Sequence, residues 1–220
     1  MNMAELILNE LDKIKNKIDS SEDLSEGESN ELLNSINEKI MKIEEAKNVV
    51  EGLTEESTKE EVQDAAKLIK KNWFETKNIA KRAVGELINS RIGGIIIKSK
   101  QLEVKLNRIL EKIVEQGKDT ILVDGLLTDF NSLLESSREN YEKAVEKYKE
   151  ARLATEDVEG LIQEAHNYMK QAHTDLKDAH NILRDIFQEL KEQGVEDELV
   201  SEDNEAEELV DRGLAEEAGE

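Results

Sequence analysis

The three histidines of this chain, His166, His173 and His180, stand seven residues apart. Histidine is the side chain that most readily binds a transition metal or titrates near neutral pH. Seven residues are two turns of helix, so the imidazoles share one face with roughly 10 Å between neighbours. No single ion bridges that gap. A same-helix site needs a second ligand three or four residues on, and those positions hold Met169, Lys170, Leu176, Lys177, Leu183 and Arg184. The Glu-x-x-His pairing of di-iron bundles is missing as well, since Gln163, Lys170 and Lys177 precede the histidines by three. The histidines therefore read first as flanking residues of a packed helix. Metal ligands completed from another helix or subunit come second, and a pH-sensitive contact third.

Trp73-Phe74 is the other local feature. The helical register places Trp73 on the packed seam and Phe74 one position off it, where it covers the bundle edge or meets a partner helix. Carboxylates are plentiful, but pairs such as Glu44-Glu45 and Glu60-Glu61 fall on solvated helix faces. Neither Gly-x-Ser-x-Gly nor His-Glu-x-x-His occurs, nor does a P-loop or an EF-hand loop. The stretch Arg91-Ile-Gly-Gly-Ile-Ile-Ile-Lys98 lacks the strand and glycine-rich loop of a phosphate cradle and reads as a buried junction. A catalytic role and a cofactor are not expected.

The elements that carry these residues are helices. The chain has no proline, and charged residues reach 37% against 3% aromatic, a profile of long amphipathic helices rather than sheets. Val158, Ile162, Ala165, Met169, Ala172, Leu176, Ala179, Leu183, Ile186 and Leu190 alternate spacings of four and three without a break. That is a coiled-coil seam, with each histidine one residue beyond an alanine. The same register recurs 96 residues earlier as Val62, Ala66, Ile69, Trp73, Thr76, Ala80, Ala83 and Leu87. Two further helices repeat likewise. Ile7, Leu11, Ile14 and Ile18 match Leu102, Leu106, Ile109 and Ile113, an offset of 95; Leu33, Ile36, Ile40, Ile43 and Val50 match Leu127, Phe130, Leu134, Ser137 and Ala144, an offset of 94. Three helices in order at nearly one offset indicate an internal duplication.

Breaks fall where such a repeat needs them: Ser20 to Glu28, Gly52 with a Thr58-x-x-Glu61 capping box, Gly93-Gly94, Gly117 to Thr120, and Ala154 to Asp157. Short linkers force sequential helices antiparallel. The expected fold is all-α: two tandem antiparallel three-helix coiled-coil bundles over 1–92 and 95–193, elongated if helices three and four run end to end, folded if the glycines hinge. The bundle is spectrin-like by analogy of architecture only. Small alanines on the last helix admit a close neighbour, with Tyr141 and Tyr148 expected to fill the gap. The remaining segment, 194–220, holds twelve acidic residues against the single Arg212, half of the chain's formal charge of −22. It reads as a disordered acidic tail.

From Leu106 to Glu192 the chain resembles a helical segment of uncharacterised archaeal, often exported, coiled-coil repeat proteins. The residues that carry the likeness are Gly117-Lys-Asp-Thr120, Asp129-Phe-Asn131, Tyr141-x6-Tyr148 with Ala151-Arg152, Asp157-Val-Glu-Gly-Leu-Ile162, and the run Ala165-His-x5-Ala172-His-x5-Ala179-His180. The resemblance implies a helical fold and brings no activity with it. Such proteins usually open with a signal sequence, whereas Met1 to Glu10 has neither a basic nor an apolar region. The cytoplasm is expected for the chain as written, and export for a processed or truncated form. A duplex nucleic acid is disfavoured by the charge, and no apolar run is long enough to span a membrane. The expected role is a non-enzymatic structural or interaction protein, a spacer or scaffold with an unidentified protein partner, monomeric by default with a homo-oligomer as the other outcome. The alternatives are a metal- or pH-responsive protein using the histidine ladder, and an acidic decoy for a basic or nucleic-acid-binding protein.

Overall fold

The computed structural model describes residues 3–117, 119–192 and 194, and among them there are five helices and no strand. The acidic tail expected over 194–220 lies, from residue 195 on, outside the described residues. The helices are α1 (Met3–Asp19), α2 (Glu26–Glu51), α3 (Lys59–Glu115), α4 (Ile121–Leu153) and α5 (Val158–Glu192). Among the described residues no helix is long and apolar enough to cross a membrane.

Local chemistry sets most of the ends. Ser25 caps α2 with a full capping box: its hydroxyl accepts from the Glu28 N–H at 3.3 Å, and its own N–H donates to the Glu28 carboxylate at 3.0 Å. The expected box at the start of α3 is present too, with Thr58 N–H donating to Glu61 at 2.7 Å and Glu61 N–H to the Thr58 hydroxyl at 3.2 Å. Each box satisfies two amide groups that the first turn leaves open. Gly117, with φ of +73°, closes α3 in the left-handed region that glycine enters at least cost.

Gly93 and Gly94 do not close a helix. Where the sequence predicts two helices flanking a break, α3 runs through both glycines as one helix of 57 residues. An interior glycine costs a helix about 1 kcal/mol relative to alanine, and packing on either side outweighs that: Ile92 and Ile96 are buried. Gly93 also has a positive use, because a β-carbon there would lie 2.9 Å from the Tyr141 ring.

The chain divides into two compact units. The first comprises the chain up to Ile88 with Tyr148–Gln163, and the second comprises Asn89–Lys147 with the chain from Glu164 on. In the first unit α1 packs on α2, and the core is Leu11, Ile18, Leu32, Ile36 and Ala83, backed by Ile7, Ile14, Ile40 and Ile79. The turn between α4 and α5 belongs to this unit, tied in by Arg152 to Glu31 at 2.5 Å and Lys81 to Glu159 at 3.2 Å. In the second unit Leu102, Leu106, Ile109 and Ile113 of α3 are all buried, as are Leu127, Phe130, Leu134, Ser137 and Ala144 of α4. Eight of the ten seam positions on α5 are buried, with Val158 and Met169 half-buried.

Ala165, Ala172 and Ala179 are sealed in the core, and the Ser137 hydroxyl reaches the Ala172 carbonyl at 2.9 Å. Small residues do let α4 approach α5. The tyrosine rings also meet α3. In the first unit the Tyr148 ring, 2% exposed, lies over Gly85 of α3; in the second, Tyr141 lies over Gly93. A ring takes the place on α3 where no β-carbon stands.

A β-carbon on Gly85 would sit 2.6 Å from Tyr148 Cζ and overlap the hydroxyl. Helix propensity alone makes Gly→Ala stabilising by up to about 1 kcal/mol. Here overpacking reverses the sign, and Gly85→Ala is expected to lower unfolding free energy by about 1–3 kcal/mol in urea denaturation.

Candidate functional site

The described residues hold three local arrangements with chemical content: an apolar groove in the first unit, a partly buried ionic cluster in the same unit, and the histidine face of α5.

The groove has three walls. Ala4 and Ile7 come from α1, Ile43, Ala46, Lys47, Val50 and Glu51 from α2, and Ala66, Ile69, Lys70 and Trp73 from α3. Its volume is about 350 Å³, enough for a few large side chains of a ligand. The predicted α3 seam departs from expectation here. Thr76, Ala83 and Leu87 are buried as the register requires, but Val62, Ala66, Ile69 and Trp73 are exposed, and Ala65 and Asn72 are buried in their place. Trp73 is 44% exposed and Phe74 54%. The tryptophan expected inside a seam therefore stands open on a groove, with Phe74 beside it. At this end the core-facing stripe has turned by about one residue, because polar anchors hold it: Asn72 Nδ2 donates to the Lys42 carbonyl at 3.1 Å, and Lys39 Nζ to Glu75 at 2.7 Å. The Lys39 ammonium holds the Glu75 carboxyl below its ordinary range. On the α2 edge, Lys47 lies 3.7 Å from both Glu5 and Glu51. Lys70, on the α3 edge, makes no ion pair with any described residue.

The ionic cluster joins α2, α3 and the end of α4. Arg82 Nε lies 3.3 Å from Glu86, and its guanidinium donates to the Ser35 hydroxyl at 3.4 Å, while Arg152 holds Glu31. Burial pushes the Glu86 carboxyl above its ordinary 4.5; Arg82 and Arg152 oppose that shift, and Glu31 and Glu28 reinforce it. Burial also raises the Tyr148 phenol, with the Glu86 charge adding to it. Two arginines against Glu86 and Glu31 leave no charge over for a ligand. This cluster is a structural lock, and sequence periodicity gave no sign of it, since Arg82 and Glu86 look like an ordinary i,i+4 surface pair.

On α5, His166 and His173 are half-buried and His180 is buried. Each follows a buried alanine, as expected of residues flanking a packed stripe. Among the described residues, no three His, Asp or Glu side chains come together as a group able to hold a metal ion. The buried carboxylate nearest in sequence, Asp175, is taken up by Ser136 at 2.8 Å, Asn140 at 3.2 Å and Gln171 at 2.8 Å. Three neutral donors satisfy a desolvated carboxylate and pin α4 to α5 in one register. Its signal in the sequence was slight: a single aspartate one residue before the seam position Leu176.

The structure thus places Trp73 in the groove wall with Phe74 exposed beside it in the chain, and leaves the three histidines without a convergent ligand set among the described residues. No protein-family model, curated protein or solved structure matches the chain.

Two outcomes follow from these geometries. Between 4.5 and the raised folded value, folded Glu86 keeps a proton that the unfolded chain has lost, so its contribution to stability falls as pH rises. The stability of the wild type relative to Glu86→Gln is therefore expected to decline from pH 4.5 toward neutrality in urea melts; a flat difference would mean that the two arginines cancel the effect of burial, and a rise that they outweigh it. Zinc added to the intact protein is expected to leave its melting temperature unchanged. A rise that disappears in His173→Ala would make the histidines ligands after all.

Proposed function

We propose that this chain is a non-enzymatic helical scaffold or interaction protein, built as two tandem three-helix coiled-coil bundles from an internal duplication, whose partner is another protein. The duplication is supported by burial at matched positions. Leu11 and Ile18 are buried as are their counterparts Leu106 and Ile113, and Ile36 as is Phe130. The observation that carries the interaction reading is the open groove. Its apolar wall, with Trp73 and Ile69 in solvent, costs the free protein about 25 cal/mol for each Å² of apolar surface left in water. Grooves of that kind mark sites where another molecule completes the core.

The charged groups elsewhere support the same reading, since Glu86, Glu31 and Asp175 are each engaged by neighbours in roles that hold helices together. The protein is read as a monomer that exposes this groove.

Proximity labelling in the native host, with a biotin ligase fused to the chain, tests the reading. Ile69 is 39% exposed, so Ile69→Asp places a charge in the groove without removing a core residue. A set of proteins labelled by the wild type and lost in Ile69→Asp is expected. Identical labelling by both would remove the groove as an interaction site.

A further inference from the structure

We propose that the groove receives an amphipathic helix of a partner protein that carries carboxylates along one edge of its apolar face. This rests on the interaction reading above and adds the chemistry of the partner. At 100° per residue, the groove-lining positions Ala66, Ile69 and Trp73 form one stripe of α3, and Lys77, Lys70, Phe74 and Lys67 succeed one another away from it on one side. All four are exposed.

The edge is unusual in this chain. Residues 65–82 contain six basic residues against one acid, Glu75, in a protein of formal charge −22, and Glu75 is already held by Lys39 at 2.7 Å. Lys67 and Lys77 make only exposed pairs, with Asp64 at 2.9 Å and Glu159 at 3.9 Å, which contribute little and exchange readily. Lys70 faces solvent on the groove itself. The opposite edge, where Lys47 sits between Glu5 and Glu51, has no positive charge to spare. A helix laid in the groove with side chains at i, i+3 or i+4, and i+7 inside it would meet Lys67, Lys70 and Lys77 on its α3 side, against Lys47 between two glutamates on the other. Carboxylates on that side raise the association rate and fix the orientation of docking.

A concave site suits a row of side chains better than the flat face of a bilayer.

Trp73 is the chain's single tryptophan, so its emission reports on this groove and nowhere else. The full-length protein is titrated with four probes. The first is a synthetic helix with leucines at i, i+3, i+7 and i+10 and glutamates along one edge; the second replaces those glutamates with lysines. Phosphatidylserine vesicles and oligothymidylate are the third and fourth. A saturable blue shift with the glutamate peptide is expected, with binding weaker by about tenfold for the lysine peptide and by a similar factor for the glutamate peptide on K67E/K70E. Ile69→Asp should abolish the shift while circular dichroism shows unchanged helicity. No response to the glutamate peptide, or equal response to both peptides, overturns the proposal. So does a shift produced by vesicles or oligothymidylate but not by the peptide. If the titration fails while Ile69→Asp still loses its labelled partners, the acidic helix is wrong and the interaction reading stands; if both fail, the groove binds nothing.

Discussion

Tyrosine rings seated on bare stretches of α3 are the constraint on which the packing of α4 depends. Tyr148 occupies the space over Gly85, and Tyr141 the space over Gly93. A single β-carbon at Gly85 would displace a ring that is almost wholly enclosed. Helix-forming tendency is weakened by glycine in α3, and the rings recover more than that in buried surface. Burial is the main reason that Tyr148 and Glu86 both resist ionisation, and the Glu86 charge adds to the effect on the tyrosine.

Around that contact, polar groups decide register where apolar ones only decide burial. Leucine and isoleucine stripes tolerate sliding by a heptad, because any one layer resembles the next. A desolvated carboxylate such as Asp175, held by donors from two helices, tolerates no slide, since a displaced partner leaves the charge without its hydrogen bonds. Arg82 with Ser35 and Glu86, and Lys39 with Glu75, act alike in the first unit. A core of alanines and few aromatics gains little from shape, so these polar fixtures carry more of the specificity.

The groove follows from the same competition. Over residues 62–73 of α3, Asn72 binds a carbonyl of α2, and this turns the helix so that Ala65 is covered while Ile69 and Trp73 are not. A helix surface that obeyed its apolar period alone would have hidden the tryptophan. One hydrogen-bonded asparagine and one lysine–glutamate pair put it in solvent instead, with Phe74 and a lysine edge alongside.

Local information was enough for much of this. Spacings of four and three gave the stripe on α5, which is buried at nearly every position, and the capping box at Thr58 and the turn at Gly117 mark helix ends, because those interactions lie within one turn of the chain. The positions flanking the stripe, histidines included, were legible for the same reason. Whether Gly93-Gly94 breaks a helix or admits a ring depends on what lies opposite, and so does the partner of each tyrosine. The exposure of Trp73 and the burial of Asp175 and Glu86 depend on it equally. Periodicity says which side of a helix is apolar; only the helices packed against it decide how far that side is turned, and which of its residues remain in water.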